Sequence, residues 1–350
     1  MPEEVRVMAR LCSVVAALLL TAHALPAFAD NIEGADTDYR IDNGLKIPGT
    51  DINVGSYGTA SLDNHPDTAP RLAVDALSLF VWWDGQGRWK FFSELEYENL
   101  LYTEAYAKGK NGYLSLERLY AEYALTDTVG LRAGKFLTPI GRWNEIHATP
   151  LVWTTSRPLA TQYLFPDNMS GVMVKGSLPN VGRGIDYSFY ASDGEEIRPN
   201  PSLDPFREAV GAHVVVNSLY GAQFGFSYVS FEQEHSKPGH NQLLGSDFLW
   251  THNRFEVMAE AVYRRSDAGS RNDEWGGYVQ FVAPLSERLY GVARYENLHL
   301  AQQSVTTQVR VAGLNYKLSS HLILKIEWAS SRNNRIGAPD GLLSSVSVLL

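Results

Sequence analysis

Trp89-Lys-Phe-Phe-Ser-Glu-Leu-Glu-Tyr-Glu-Asn99 decides the fold class. Read with a period of two, Trp89, Phe91, Leu95 and Tyr97 fall on one face, and Lys90, Glu94, Glu96 and Glu98 on the other. Successive side chains of a strand point to opposite sides, so this segment carries one apolar and one charged surface.

The same alternation recurs outward from it. Ile185, Tyr187, Phe189 and Ala191 oppose Asp186, Ser188 and Tyr190. Phe255, Val257, Ala259, Ala261 and Tyr263 oppose Glu256, Glu260 and Arg264; Leu322, Leu324, Ile326 and Trp328 oppose Lys325 and Glu327. Val305, Thr307, Val309 and Val311 oppose Gln308 and Arg310. Leu72–Trp83 has apolar residues on both faces, which fits a bulge or a contact with a neighbouring subunit. Short connections alternate with longer ones, and about sixteen strands of roughly ten residues result. An even strand count, short turns on one side and long loops on the other are features of a transmembrane antiparallel barrel. A secreted β-sandwich would also alternate, but it has no reason to gather aromatics at strand ends. Trp82, Trp83, Trp89, Tyr97, Tyr187, Trp250, Trp275, Tyr290, Tyr295 and Trp328 lie there, as in the aromatic belts of membrane barrels.

The beginning of the chain agrees. Arg6 and Arg10 precede an apolar run, Leu11–Leu20, which leads to Ala27-Phe28-Ala29. A basic start, a short apolar core and an A-x-A site are expected to act as a secretory signal peptide over residues 1–29. Glu3 and Glu4 are unusual in such a segment, and Met8 is an alternative start. Cleavage would remove Cys12, the single cysteine, so no internal disulfide is expected in the exported chain. Residues 30–50 read as a periplasmic lead-in and residues 51–350 as the barrel. The net charge of −9 and the lack of a basic tract argue against a nucleic-acid partner.

The longest connection runs from about Thr138 to Ser170, between the fifth and sixth strands. A loop of that length is uncommon unless it has a task. It carries Trp143, Ile146, Leu151, Val152, Trp153, Tyr163, Leu164 and Phe165, which need burial. A sixteen-strand barrel encloses an aqueous lumen, so the loop is expected to fold inward, with Arg142, Glu145, His147, Arg157 and Asp167 as constriction residues. Glu145 and Arg157 could equally be ion-paired anchors, because charges at a wall-to-loop contact are normally paired. Gly134 permits a close approach of another segment, Pro139 ends ladder pairing, and Gly141 permits the turn away from the wall.

Leu131-Arg-Ala-Gly-Lys-Phe-Leu-Thr-Pro-Ile-Gly-Arg-Trp-Asn-Glu-Ile-His147, continuing to Arg157-Pro158, resembles the strand-and-loop stretch of bacterial porins, in particular the phosphate-selective porin O and P superfamily and its porin-like relatives. Gly44-Leu-Lys-Ile-Pro-Gly-Thr-Asp51 is similar to the start of trimeric outer-membrane porins. The resemblance implies an outer-membrane channel, a homotrimer, and selectivity for an anion such as phosphate.

Inward charges on this reading are Lys90, Arg118, Arg132, Lys175, Arg264, Arg294, Arg310 and Lys325 against Glu94, Glu96, Glu98, Glu122, Asp186, Glu256, Glu260, Glu296 and Glu327. Neither sign dominates, and a phosphate path needs a concentrated basic ladder. The reading is therefore a water-filled channel for small hydrophilic solutes, with outer-membrane lipid and the barrel-assembly machinery as further partners. A barrel enzyme would need a catalytic constellation; His147 and His213 have no serine or acid at a defining spacing. No metal-spaced cluster occurs, and no cofactor is expected. An adhesin is the remaining alternative; the loops carry no repeats. Outer-membrane barrels commonly end in an aromatic residue, whereas this chain ends in Leu350.

Overall fold

The computed structural model describes residues 44–349, apart from 65–69, 86, 103–111, 147, 195, 200–203, 235–238, 268–272, 302 and 304. The proposed signal segment, most of the lead-in and His147 lie outside the described residues.

Seventeen strands follow one another: β1 (Leu45–Lys46), β2 (Ile52–Asn64), β3 (Arg71–Asp84), β4 (Trp89–Tyr102), β5 (Tyr113–Ala124), β6 (Val129–Leu137), β7 (Asn168–Leu178), β8 (Ile185–Asp193), β9 (Phe206–Asn217), β10 (Ala222–Gln233), β11 (Asn241–His252), β12 (Phe255–Ser266), β13 (Asp273–Pro284), β14 (Leu289–His299), β15 (Thr307–Lys317), β16 (Leu322–Arg332) and β17 (Gly341–Leu349). β1 is a short bridge on β2. The other sixteen form one antiparallel sheet in chain order, and β17 pairs back onto β2, with Val346 opposite Ala60. The sheet is therefore a closed barrel without free edges, so every ladder has its partner strand, as a lipid surrounding would demand. This is the architecture expected from the alternation.

Local sequence explains the connections. Asn253 and Arg254 form a two-residue hairpin with positive φ at both positions, 48° and 68°, the twist that a tight hairpin requires. The mixed pattern of Leu72–Trp83 is a bulge. Val74 and Ala76 of β3 pair with the adjacent residues Ala60 and Thr59 of β2, which leaves Asp75 extra and reverses the faces on either side.

Below that bulge Leu77, Leu79 and Val81 are exposed on the outer wall while Ser78 and Phe80 are buried inside. Outward aromatics mark both rims. Trp83, Trp89, Phe91 and Tyr123 gather at the short-turn side, with Trp89 4.8 Å from Tyr123 between ring centres. Tyr263, Trp275 and Tyr295 lie toward the long-loop side and are exposed.

The main apolar core is inside the barrel. Leu159, Leu164 and Phe165 of the 138–167 loop pack with Phe136, Met173, Val229, Leu243, Val262, Val309 and Val311 of the wall. The loop acts as a plug that supplies the lumen with something apolar to bury.

Candidate channel and its inward loop

The loop leaves β6 through Thr138, Pro139, Ile140 and Gly141. Gly141 has φ +66°, and a Cβ there would stand 2.4 Å from Glu260 Oε2. Only glycine lets the chain turn this close to the wall carboxylate. Two short helices follow, α1 (Trp143–Ile146) and α2 (Leu159–Tyr163).

Wall carboxylates on three strands receive the loop's backbone N–H groups. Glu260 Oε1 accepts from Arg142 N (2.9 Å) and Trp143 N (2.7 Å). Glu327 accepts from Thr155 N and Ser156 N, both at 2.9 Å, on separate oxygens. Glu296 Oε2 accepts from Leu159 N at 2.7 Å. Glu256 accepts from the Trp153 indole at 2.8 Å. Wall cations take the carbonyls: Lys325 donates to Thr149 O and Thr154 O, Arg294 to Ser156 O, and Arg264 to Leu164 O. Buried backbone groups must find partners, and here the barrel wall supplies them.

This divides the expected lumen-lining charges into two sets. Glu256, Glu260, Arg264, Arg294, Glu296, Lys325 and Glu327 do point inward, but they hold the plug. The second set stands on the other half of the wall. Arg118 pairs with Glu94 at 2.5 Å, and Glu94 also accepts from Ser78. Glu96 accepts from Tyr57 Oη and Glu98 from Tyr113 Oη. Glu122 holds both Arg132 and Lys175 at 2.8 Å. Lys90 is exposed at the short-turn end, beside Asp84 at 3.2 Å.

Arg310 is a correction. Val309 and Val311 are buried against the plug, while Arg310 is exposed and registers opposite Tyr295 and Ser330 on the outer face. Assigning apolar residues to lipid and charged residues to the lumen fails on β15, because the lumen there is filled by the apolar loop.

The loop residues also separate. Arg142 donates to Asp247 Oδ1 and Gln223 Oε1, each at 2.8 Å, and Asp247 Oδ2 lies 3.0 Å from His213 Nε2. Arg157 grips Asp167 with two nitrogens, bonds Asn144 and Thr161 O, and stacks on Trp143. Arg157 and Asp167 are thus a staple closing the loop on itself. Glu145 is different. It is exposed on a cavity of about 460 Å³ lined also by Glu122, Arg132, Lys175, Asp186, Ser188 and His213, which reaches the Thr126–Thr128 turn. Desolvation beside the wall raises its carboxyl above the usual range against the pull of His213, Arg132 and Arg142.

Asp247 and Gln223 were not anticipated from sequence. No acid stands at a defining spacing from His213 in sequence, and its partner is 34 positions away. An aspartate in the middle of a wall strand was the available signal.

With this geometry in place, the comparisons are informative about the fold. No protein-family model matches the chain. An uncharacterized protein of Aquifex aeolicus (strain VF5) is 29% identical over 179 residues, which is 48% of this chain and 39% of that protein, so the chain spans well under half the length of that relative. The Salmonella typhi OmpF in complex with daunomycin superposes with a TM-score of 0.63 at 9% identity, covering 86% of this chain and 97% of OmpF. The trimer form of OmpT from Vibrio cholerae gives 0.57 at 10% identity, over 85% and 99%. An anion-selective porin from Comamonas acidovorans gives 0.56 at 12%, over 85% and 98%. The chain has a porin-like fold, a closed antiparallel barrel of sixteen strands. None of these matches singles out the phosphate-selective superfamily.

Proposed function

We propose that this protein is a passive diffusion channel for small polar and ionic solutes. The observation that carries the reading is the asymmetry of the lumen. The plug is bonded to the β10–β17 half of the wall, while Glu145 opens on a water-accessible cavity against β5–β9. Solutes would pass between Glu145 on the loop and Arg132, Lys175 and His213 on the wall, filtered by size and by the local field. Arg142, Arg157 and Asp167 would set the width of the path by fixing the loop. His147 is proposed to belong to the same constriction.

The bases on this side do not form a free basic ladder for anions. Arg118, Arg132 and Lys175 each have a carboxylate partner, which favours a mixed-charge path over a phosphate-selective one. The proposal includes export by cleavage near Ala29, assembly by the barrel-insertion machinery and a homotrimeric state, the last supported by the likeness to OmpT in its trimer form. Chemistry is not part of the reading, and no group of three or more potential metal ligands occurs among the described residues.

Single-channel current of residues 30–350 in a planar lipid bilayer under a salt gradient tests this. Stable open steps with a modest reversal potential support the channel. A folded, heat-modifiable barrel that never conducts would sink it.

A further inference from the structure

Outside the lumen, the long-loop rim of β14–β16 carries an unbalanced charge. Arg310 of β15 and Arg332 of β16 are exposed on the outer face. Arg310 stands opposite Ser330, and Arg332 opposite Gln308, so the two arginines are diagonal neighbours across one ladder. Such positions lie about 7–8 Å apart at their backbones, within reach of one shared group for two long side chains. Among the described residues neither has an ion-pair or hydrogen-bond partner.

The surroundings have a definite order. The acids of β14–β16, Glu296 and Glu327, both point into the barrel, so the outward positions of these strands hold no counter-charge. In a chain of net charge −9 this basic corner is a local exception. Tyr295 lies beside Arg310, and Trp328, Leu314 and Ile326 are exposed below it toward the middle of the wall. Cations at the rim, aromatics at the interface and apolar side chains beneath match an amphiphile with an anionic head and hydrocarbon tail.

We propose that Arg310 and Arg332 bind the phosphate of an anionic membrane lipid on the outer wall, with its acyl chain along Trp328, Leu314 and Ile326. Guanidinium groups suit phosphate because their planar donors bond two oxygens at once.

The test uses the whole barrel in detergent, with phosphatidylglycerol or phosphatidylcholine added, and counts retained lipid by native mass spectrometry. The expected result is preferential retention of phosphatidylglycerol, reduced roughly tenfold or more in Arg310→Gln/Arg332→Gln and kept largely in Arg310→Lys/Arg332→Lys. Arg265→Gln, which removes an outward arginine paired in register with Asp273, should leave retention unchanged. Equal retention of both lipids, or undiminished retention by the double glutamine variant, overturns the site. Displacement by low concentrations of inorganic phosphate would show a phosphate site without lipid preference and overturns the lipid assignment. If the double variant does not fold, retention by the unaltered protein is followed against salt; insensitivity to ionic strength overturns the proposal.

Discussion

Arg142 of the inward loop donates to Asp247 of β11 at 2.8 Å, and that contact fixes where the loop meets the wall. Asp247 is fully enclosed and also faces His213. Asp247→Ala leaves the guanidinium beside Gln223 alone, in a largely buried site. Removing one partner of a buried pair costs about 3–5 kcal/mol. The expected outcome is a lower unfolding temperature of the heat-modifiable band, together with noisier open-channel current. A quiet channel of unchanged stability would show that the loop does not depend on this contact.

Glu327 makes a sharper test, because the change can be confined to one atom. Its two oxygens accept one N–H each, from Thr155 and Ser156. Glu327→Gln preserves shape but turns one acceptor into a donor aimed at an N–H. A buried unsatisfied group costs about 1–3 kcal/mol. The variant should fold, with a less thermostable barrel and flickering conductance as the 138–167 loop loosens. Bilayer recordings of the two proteins side by side check this.

The wall was legible in sequence because strand periodicity is local: the face of Glu94 follows from Phe91 and Leu95 a few residues away. The loop was legible from its length and its aromatics, and the bulge in β3 from a broken alternation. The roles of individual charges were not. Glu260 reads as lumen-lining, but its partner Arg142 N is 118 positions distant, and nothing near residue 260 announces that contact. Arg310 was misread for the complementary reason. The residues that tell lumen from lipid on β15 are Leu159 and Leu164 of the plug, far away in sequence.

Gly134 has a role that a single methyl group can probe. Its φ is +128°, and a Cβ would lie 2.2 Å from Leu119 O and 2.8 Å from Tyr120 Cα. Gly134→Ala therefore meets the β5 backbone, which cannot swing aside as a side chain would, and the position is strained for any L-residue. Such strain costs about 1–3 kcal/mol before the clash is relieved. Reduced yield of folded barrel is expected, with loosened β5–β6 pairing. Hydrogen exchange at Leu119 and Lys135, paired across that ladder, should accelerate relative to distant strands such as β13.

Glu145 sets the expected pH dependence of the channel. Desolvation beside the wall raises its carboxyl, and His213, Arg132 and Arg142 offset only part of that rise. The group therefore loses its negative charge at a higher pH than an ordinary carboxylate does. Between the ordinary carboxylate value and its own, the folded state holds a proton that the unfolded chain has released. Stability contributed by this group is then present at low pH and falls as pH rises through that window. Selectivity follows the charge itself. Reversal potential recorded from about pH 8 down to about pH 4 should show the share of cations over anions in the current weakening before bulk carboxylates titrate. Glu145→Gln should start from the weakened value and lose this early step. A titration step of the same size and position in the glutamine variant would assign it to another group and remove Glu145 from the constriction.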